Sequence, residues 1–469
     1  MLIHLANIYA GSVGRTRRFT SENEKNCVTM SESNYTSIDL FCGAGGLSQG
    51  LSDAGFDVQW AIDHEENTKP TYEHNHDGEM VVGDIRETVP PDLDLDGELD
   101  LVAGGPPCPT FSLVGRSKIN SLEGQSTTTD ERHQLYEDFL RFVDHYEPKA
   151  FLMENVKGML SATNDDGEEV VDVIRGQMED LGYDVRVTVL DSADYGVPQH
   201  RERLFFIGNR LDVDGPDMDE WQTHREPRSE PEKQITFSTD SGPDDEDQET
   251  ITNFTDDEDE AFPHFEKGIS DRKPWNTVAD GIIDLPPLSP DGETPPTSID
   301  EYTIGPISEY QEWARSVPED EDWEDQPLYN HECRGHNMRD LTIYKVLGEG
   351  VSYIVGDIPE EHQPYRSDIF PDKMKKQNPK EPASTVVAHL YKDGNMFIHP
   401  REARSITVRE AARLQSFPDT FEFPVARTHA FKQVGNAVPP LLAQAIGTAI
   451  REEILEAEPE DAATKAAQN

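Results

Sequence analysis

The sequence has 469 residues, 35% of them hydrophobic, and its 93 acidic against 41 basic side chains give a formal net charge of −52. The length allows two or three domains, and no apolar run approaches the roughly 20 residues of a membrane span. Such an acidic balance argues against a partner that carries phosphates, because proteins that bind nucleic acid are usually basic.

High salt removes this objection. In molar salt the Debye length falls to roughly 3 Å, so self-repulsion is screened while a hydrated acidic surface keeps the chain dissolved. We therefore predict a halophilic archaeal protein that works in a high-salt cytoplasm. The cysteines lack Cys-x-x-Cys spacing, so neither a metal site nor a disulfide framework is predicted. They are Cys27, Cys42, Cys108 and Cys333.

The first 36 residues differ from the remainder by a local basic excess before Met30. They lack the basic, apolar and small-residue order of a signal peptide. We expect a disordered tail or a misassigned start, with Met30 as the initiator.

A strand is predicted over residues 37–41, followed by a glycine turn over 42–46 and a helix over 47–54. Strand, glycine turn and helix open a nucleotide-binding βαβ unit. The next predicted strand, 57–62, ends at Asp63, about 20 residues after the turn. Such folds place an acid there to bind ribose hydroxyls.

Asp84 and Cys108 follow at further steps that each fit one βα unit. We therefore expect these residues, with the glycine turn and Asp63, at neighbouring strand ends along one edge of a parallel sheet. In residues 99–112 an apolar run ends in two glycines and a cysteine between Pro107 and Pro109. A thiol held so stiffly is a candidate nucleophile, and a buried structural cysteine remains the alternative.

The polar residues 113–129 are predicted to be a mobile lid-like loop, and a helix is predicted over 131–146. A strand over 150–153 then ends at Glu154, and residues 194–203 lead to the apolar strand 204–207. The alternating βα pattern stops there.

The remaining chain changes character. Residues 211–330 are rich in proline and acid, which is typical of solvated or disordered surface. Residues 331–400 regain order and contain a lysine cluster at 373–380. An N-capped helix is predicted over 407–415, and residues 433–440 are expected to open a final apolar helix that reaches about Leu455.

Six stretches, in this order, resemble the motifs of the cytosine-C5 DNA methyltransferase family. Residues 39–46 resemble its S-adenosylmethionine (AdoMet) loop, Pro107-Cys108 its nucleophile motif and Glu154-Asn155-Val156 its acid motif. The last three are Gln199-His200-Arg201-Glu202-Arg203, Arg409 to Gln415, and Gly435-Asn436. The resemblance spans about residues 37–455.

The resemblance implies a doubly wound, Rossmann-like AdoMet-dependent methyltransferase sheet with a smaller inserted target-recognition domain. It also assigns residues to roles. Implied catalytic residues are Cys108, Glu154, Arg201 and Arg203. Implied AdoMet contacts are Asp39, Phe41, Gly43, Ala44, Gly45, Gly46, Asp63, His64, Asp84, Ile85, Pro107, Asn436 and Val438. Implied DNA contacts are Ser112, Arg116 and Thr385.

The chemistry needs these residue types. Addition of a Cys108 thiolate to C6 of cytosine makes C5 nucleophilic toward the sulfonium methyl. Glu154 is suited to protonate or hydrogen-bond N3, and Arg203 to hold O2, with Arg201 nearer the backbone. Loss of the C5 proton and of the thiol then restores an aromatic ring.

Simpler interpretations remain open. Glu154 also fits a helix N-cap, and the two arginines fit pairing with Glu202 and other surface acids. Asp63 and Asp84 also fit ordinary loop acids, and Asn436 fits a cap of the last helix.

Two departures from the family pattern stand out. Pro109, which has no N–H group, takes the place of Gln or Asn after the nucleophile. His64 takes the place of a larger aromatic residue.

The target cytosine lies inside a stacked duplex, so the enzyme must flip it out. A second domain must then read the DNA, and Thr385-Val386 resembles the family's recognition signature. We expect basic residues around 373–413 to contact phosphates, although counterion release contributes little at molar salt.

The expected divisions are a tail over 1–36, a catalytic domain over 37–210, an insert with the recognition domain over 211–426, a returning helix over 427–456 and a tail over 457–469. We expect a monomer without metal that acts on double-stranded DNA beside a cognate restriction endonuclease. A tRNA cytosine-C5 methyltransferase and a catalytically inactive DNA-binding regulator are the alternatives.

Overall fold

A seven-stranded sheet forms the centre of the protein. The computed structural model describes residues 35–93, 95, 97–107, 135–164, 166–227, 262–288, 299–317, 326–347, 374–392 and 394–457. Strand order is β3-β2-β1-β4-β5-β7-β6, and only β7 runs antiparallel to its neighbours. The strands are β1 Tyr35–Leu40, β2 Phe56–Asp63, β3 Glu79–Val82, β4 Leu101–Gly104, β5 Ala150–Val156, β6 Asp184–Asp191 and β7 Glu202–Asn209.

Helices cover both faces of this sheet, as a doubly wound fold requires. The α-helices are α1 Gly46–Asp53, α2 Lys69–Asn75, α3 Leu135–Tyr146, α4 Val170–Asp180, α5 Val278–Ile282, α6 Glu309–Ala314, α7 Met338–Val346, α8 Val408–Leu414, α9 Arg427–Asn436 and α10 Pro440–Ile450. A π-helical turn, Arg451–Leu455, extends α10, and a two-residue strand pair joins His224–Arg225 to Lys273–Pro274. None of the described helices has the length and apolar character needed to cross a membrane.

Alternation along the strands divides the core between the two faces. Leu152 and Phe205 pack with α1 and α10 on one face, whereas Phe151 and Leu204 pack with α3 and α4 on the other. Strand β2 changes face midway, because Gln59 is an extra residue between the pairs Val58–Ser37 and Trp60–Ile38. Such a bulge lets one strand supply apolar side chains to both layers.

The first and last α-helices pack unusually closely through glycines. A Cβ added at Gly50 of α1 would lie 2.3 Å from the Pro440 carbonyl oxygen, and one added at Gly447 of α10 would lie 2.8 Å from the Ala54 Cβ. No side chain fits between the helices at these points. The carboxyl-terminal helix thereby completes the layer that the amino-terminal βα unit begins.

The predicted elements of the amino-terminal half are confirmed to within a few residues, and the carboxyl-terminal half needs two corrections. Residues 433–436 do not open the final helix; they close the separate helix α9, and α10 begins at Pro440. The helix predicted over 407–415 is confirmed, with a capping box between Thr407 and Glu410.

The prediction that residues 211–330 are solvated is wrong for their described parts. Trp221, Val278 and Tyr310 are at most 1% exposed, and the Trp221 indole donates a hydrogen bond to Glu453 beyond α10. Prolines and acids in this stretch alternate with enough apolar residues to build core. The acidic runs at 244–247 and 256–260 lie outside the described residues.

The arginines expected to meet phosphates are also used internally. Arg404 binds Glu402 and Glu410, and Arg413 pairs with Asp419 and Asp284. Arg409 donates to three backbone carbonyls. All three are at most 1% exposed. Charged groups in a protein interior need partners that replace water, and the carboxylates and carbonyls named above supply them. The three arginines cannot contact DNA.

Candidate active site

A cavity of about 380 Å³ opens at the carboxyl ends of β1, β2, β4 and β5. Chain connections run outward in both directions from β1 and β4, the switch point at which open α/β sheets bind ligands. Its lining comes from three groups of residues. They are Asp39, Phe41, Cys42, Gly43, Ala44, Leu47, Asp63, His64, Glu65, Asn67 and Thr68; Gly105, Pro106, Pro107, Glu154, Asn155, Val156, Arg201 and Arg203; and His429, Lys432, Gln433, Gly435, Asn436, Ala437 and Val438.

The glycine turn between β1 and α1 is held open toward this cavity. Phe41 and Gly43 adopt positive φ angles of 63° and 57°, and a Cβ on Gly43 would have no atom of another described residue within 4 Å, its chain neighbours aside. The Asp63 carboxylate accepts the backbone N–H groups of Gly43 at 3.0 Å and Glu65 at 2.8 Å. Asp63 therefore shapes the turn as well as lining the cavity.

Gly45 and Gly46 allow neighbouring residues to approach the backbone closely. Gly45 has a φ of 91°, and a Cβ there would lie 2.2 Å from His76 Nε2. A Cβ on Gly46 would lie 2.5 Å from the carbonyl oxygen of Val438. Neither glycine lines the cavity, although both were predicted as cofactor contacts.

Asp39 is an almost fully buried carboxyl group on the cavity lining, 1% exposed. Its Oδ2 accepts the Ser48 hydroxyl at 2.6 Å, whereas its Oδ1 has no hydrogen-bond partner among the described residues. Burial raises the pKa of Asp39 to about 7, and the nearby charge of Asp63 adds to this rise, while the Ser48 hydrogen bond opposes it. An oxygen of this kind on the lining of a cavity is available to accept a hydrogen bond from a bound molecule.

Glu154 and Arg203 meet on neighbouring strands. The Arg203 Nε lies 2.9 Å from Glu154 Oε1, and both side chains are about 15% exposed. Glu154 lies inside β5, so the helix N-cap alternative is wrong. Arg203 thus pairs with Glu154 on the adjacent strand. The carboxylate of Glu202 pairs with Lys157 instead.

Arg201 points to the cavity but donates to backbone. Its guanidinium, 2% exposed, donates to the carbonyls of Val386 at 2.9 Å and Gly435 at 3.3 Å. The preceding Gln199 is fully buried and contacts Val386, Leu414 and Gln415. Gln199 is part of the motif over residues 199–203, but the sequence assigns it no role, because a buried glutamine has no distinctive signal in sequence.

The predicted nucleophile, Cys108, is the residue that follows Pro107 in the sequence. Pro107 lines the cavity, and Cys108, Ser112, Arg116 and the predicted loop 113–129 lie outside the described residues. Burial raises the pKa of Cys42 well above its usual value, and that of Cys333 is also raised. Neither of these two thiols is suited to react as a thiolate.

Three further predicted contacts are not part of the lining. The Asp84 carboxylate is bound by Arg86, and Ile85 is buried beside it. The Thr385 hydroxyl donates to the His200 carbonyl at 2.8 Å. His64 does line the cavity, where its hydrogen bond with Asp63 raises its pKa.

Helix α9 forms the opposite side of the cavity, and sequence analysis missed most of it. Lys432 pairs with Glu65 at 2.6 Å, and the Gln433 amide donates to the Asn67 carbonyl at 2.7 Å. Asn436 and Val438, which were predicted to contact AdoMet, line the cavity. Asn436 ends α9 and does not cap the final helix. Among the described residues no group of three His, Cys, Asp or Glu side chains is arranged to hold a metal ion.

Comparisons with known proteins agree on one family. The sequence pattern of the family described as C-5 cytosine-specific DNA methylase matches residues 35–452. The type II methyltransferase M.AgeI of Thalassovita gelatinovora is 33% identical over 467 residues, covering 88% of this chain and 98% of that relative. M.DdeI of Desulfomicrobium norvegicum is 33% identical over 431 residues, covering 88% of each. The crystal structure of a DNA modification methyltransferase encoded within an E. coli prophage shares the fold, with a TM-score of 0.60 at 24% identity over 90% of this chain and 100% of that one.

Proposed function

The chain belongs to the C-5 cytosine-specific DNA methylase family and is a DNA cytosine-5-methyltransferase, and from this premise we propose that it acts on a cytosine flipped out of double-stranded DNA through a covalent Cys108–C6 intermediate. The observation that carries this proposal is the pairing of Glu154 with Arg203 on the lining of a cavity that Pro107 also lines.

The cavity fits the methyl donor of this family, AdoMet. Asp39 offers an unpaired buried oxygen, Gly43 leaves the turn open, and Asp63 supplies an acid at the end of β2. With Phe41, Ala44, His64, Asn436 and Val438, these residues would hold AdoMet. When bound, AdoMet supplies an electrophilic sulfonium methyl group.

The chain's own residues carry the other steps of the proposed reaction. The Cys108 thiolate forms a bond to C6 of the base, and Glu154 donates a proton or hydrogen bond to N3. Arg203 holds O2 and offsets the developing negative charge, while Arg201 supports the surrounding backbone. After methylation at C5, loss of the C5 proton and departure of the thiolate restore the aromatic ring.

DNA recognition is assigned to the insert. We propose that residues 37–210 and 427–456 form the catalytic part, and that residues 211–426, with Thr385, read the DNA. Ser112 and Arg116 would contact the DNA beside the flipped base. Because Arg404, Arg409 and Arg413 are buried, contacts with phosphates fall to the exposed basic residues of this stretch, such as Lys380, Lys392 and Arg401, and base edges would be read in the major groove.

Tritium transfer from labelled AdoMet tests the substrate. Genomic DNA should accept label and tRNA should not, and the reverse result would identify a tRNA methyltransferase. Bisulfite sequencing of host DNA with and without the gene should show one methylated cytosine context. If no context changes, DNA methylation by this protein is ruled out.

A covalent trap tests the nucleophile. With AdoMet present, DNA that contains 5-fluorocytosine at the methylated site should form a denaturation-resistant adduct, because after methyl transfer C5 carries fluorine in place of the proton whose loss would release the Cys108 thiolate. Cys108→Ser should abolish the adduct, and Cys333→Ser, which changes a thiol away from the cavity, should retain it. An adduct that persists in Cys108→Ser would contradict the assignment.

The setting is proposed from charge and relatives. A net charge of −52 favours the high-salt cytoplasm of a halophilic archaeon. We also propose a monomer, and a cognate restriction endonuclease as partner, because type II methyltransferases are among the relatives.

A further inference from the structure

Two buried glutamines lie between the cavity and residues 383–391, here called the Thr385 segment. Gln199 opens the stretch Gln199-His200-Arg201-Glu202-Arg203, here called the arginine motif, and Gln415 follows the last residue of α8. Both side chains are 0% exposed. Every hydrogen bond that they make is therefore with protein rather than with water, and a displaced partner would leave a buried polar group unpaired.

Gln199 and Arg201 together hold the backbone N–H and carbonyl of one residue of the Thr385 segment, Val386. The backbone N–H of Val386 donates to Gln199 Oε1, and its carbonyl accepts the Arg201 guanidinium at 2.9 Å. On either side, the His200 N–H donates to the Ala383 carbonyl, and the Thr385 hydroxyl donates to the His200 carbonyl. The Thr385 segment therefore cannot shift without disturbing the arginine motif.

Gln415 continues this chain of hydrogen bonds to the end of α9. The Gln199 amide donates to Gln415 Oε1 at 2.6 Å, and the Gln415 amide donates to the carbonyls of Val434 at 2.6 Å and Ala437 at 3.3 Å. Arg201 also reaches the Gly435 carbonyl. Val434 and Gly435 lie in the last turn of α9, and Ala437 follows the helix directly. The same stretch of chain lines the cavity with Gln433, Asn436 and Val438.

Direct backbone contact reinforces the connection. A Cβ added at Gly435 would lie 2.3 Å from the Ala388 nitrogen and 2.4 Å from the Val387 carbonyl carbon. The Thr385 segment thus rests on the helix end that lines the cavity, with no side chain between them. Movement of either is transmitted to the other.

We propose that Gln199 and Gln415 are positioning residues that couple DNA held by the Thr385 segment to the methyl donor held by α9. This proposal rests on the proposed function. Bound DNA that fixes Val386 also fixes the Val434 and Ala437 carbonyls through the glutamine pair, so each ligand finds its site already ordered by the other.

The test measures this coupling directly. Binding of S-adenosylhomocysteine, which has no methyl group to transfer, is measured by calorimetry with and without a duplex that carries the methylated site. In the native protein DNA should tighten binding by about fivefold or more, the lower range of typical couplings. Gln199→Met and Gln415→Met, which keep the volume but remove the amide, should bring this ratio close to one.

Gln311→Met is the matched control. Gln311 is also 0% exposed, and its amide binds the backbone of Ala279 and Ile307, but it does not line the cavity. It should lose a similar amount of thermal stability and keep the native coupling. The double variant of Gln199 and Gln415 should be no more decoupled than either single one, because both belong to one path.

Several results would overturn the proposal. They are native coupling in a folded Gln199→Met or Gln415→Met protein, equal decoupling by Gln311→Met, or no DNA effect in the native protein. If the variants fail to fold, hydrogen exchange of the native protein decides: S-adenosylhomocysteine alone should protect residues 383–391, and absence of protection would contradict the proposal. A native protein that methylates no DNA would instead contradict the proposed function.

Discussion

The Glu154–Arg203 pair links two neighbouring strands and also supplies the groups that the proposed reaction needs. The two residues lie on adjacent antiparallel strands, where Arg203 is opposite Val156 and Glu154 is opposite Phe205. Their ion pair holds both side chains in place in the absence of a base. In the proposed mechanism cytosine exchanges this pairing for contacts with N3 and O2, and the Glu154 carboxylate, once parted from Arg203, takes up a proton from solvent before it donates to N3.

Replacing Arg203 by Met should lower the methylation rate by about 100-fold or more, the cost of removing one donor at a developing charge. S-adenosylhomocysteine binding without DNA should remain unchanged, since Arg203 acts on the base. Single-turnover methylation and calorimetry would measure the two effects. Arg210→Met, at the far end of β7 and paired with Glu98, is the control. Equal loss in both variants would point to a structural effect.

Asp39 predicts a pH-dependent stability. Because its pKa rises from near 4 in the unfolded chain to about 7 in the fold, the folded state binds the proton more tightly, and the Asp39 contribution falls as pH rises through this interval. Asp39→Asn, which cannot ionise, should therefore be more stable than the native protein at pH 8, by up to about 4 kcal/mol.

Denaturant unfolding at pH 5 and pH 8 would measure this effect. The advantage of Asp39→Asn should be smaller at pH 5, where the native carboxyl is still protonated in the fold. A difference between the two proteins that is the same at both pH values would contradict the raised pKa.

Among the elements, the contact between α1 and α10 has the tightest steric requirement. Gly50→Ala places a methyl group 2.3 Å from the Pro440 carbonyl oxygen and 2.5 Å from the Ala443 Cβ. The helices must separate to admit it. We expect a loss of about 1–3 kcal/mol or more in the free energy of unfolding, as for other overpacked cores.

Gly176→Ala in α4 is the matched comparison, because within the described part of the chain an added Cβ there meets nothing within 4 Å outside its own helix. Alanine should stabilise that helix by about 0.5–1 kcal/mol. Thermal unfolding of both variants should thus show shifts of opposite sign. Equal shifts would mean that helix propensity, rather than packing, decides at Gly50.

At the scale of the whole molecule, charge is the dominant feature. Buried ion pairs such as Arg404–Glu410, Arg413–Asp419 and Arg315–Asp284 remove an acid from the surface for each base, so the net charge of −52 is still carried by exposed groups. Repulsion among the remaining carboxylates opposes the folded state unless salt screens it.

Raising potassium chloride from 0.1 M to 2 M should therefore raise the unfolding temperature and the methylation rate. The steepest rise should come at the low end, where the Debye length falls from about 10 Å toward 3 Å. Differential scanning calorimetry and tritium transfer across the salt series would measure both. A stable, fully active protein in dilute buffer would contradict the high-salt assignment.

The sequence alone predicted the βα order, the glycine turn, Asp63, Glu154 and the capped helix at Thr407, because these depend on local periodicity and on short motifs. It also indicated the family. It did not indicate that β7 runs antiparallel, that α9 lines the cavity, or that Arg404, Arg409 and Arg413 are buried.

Those points could be read only from the folded arrangement, since they depend on contacts between residues far apart in the chain. A buried arginine and a phosphate-binding arginine have the same local sequence signal; what differs is whether a carboxylate such as Asp419 or Asp284 lies beside it. The same holds for Gln199, whose partners at Val386 and Gln415 are brought to it by the fold. Motifs thus locate the chemistry, and long-range packing determines which side chains are free to perform it.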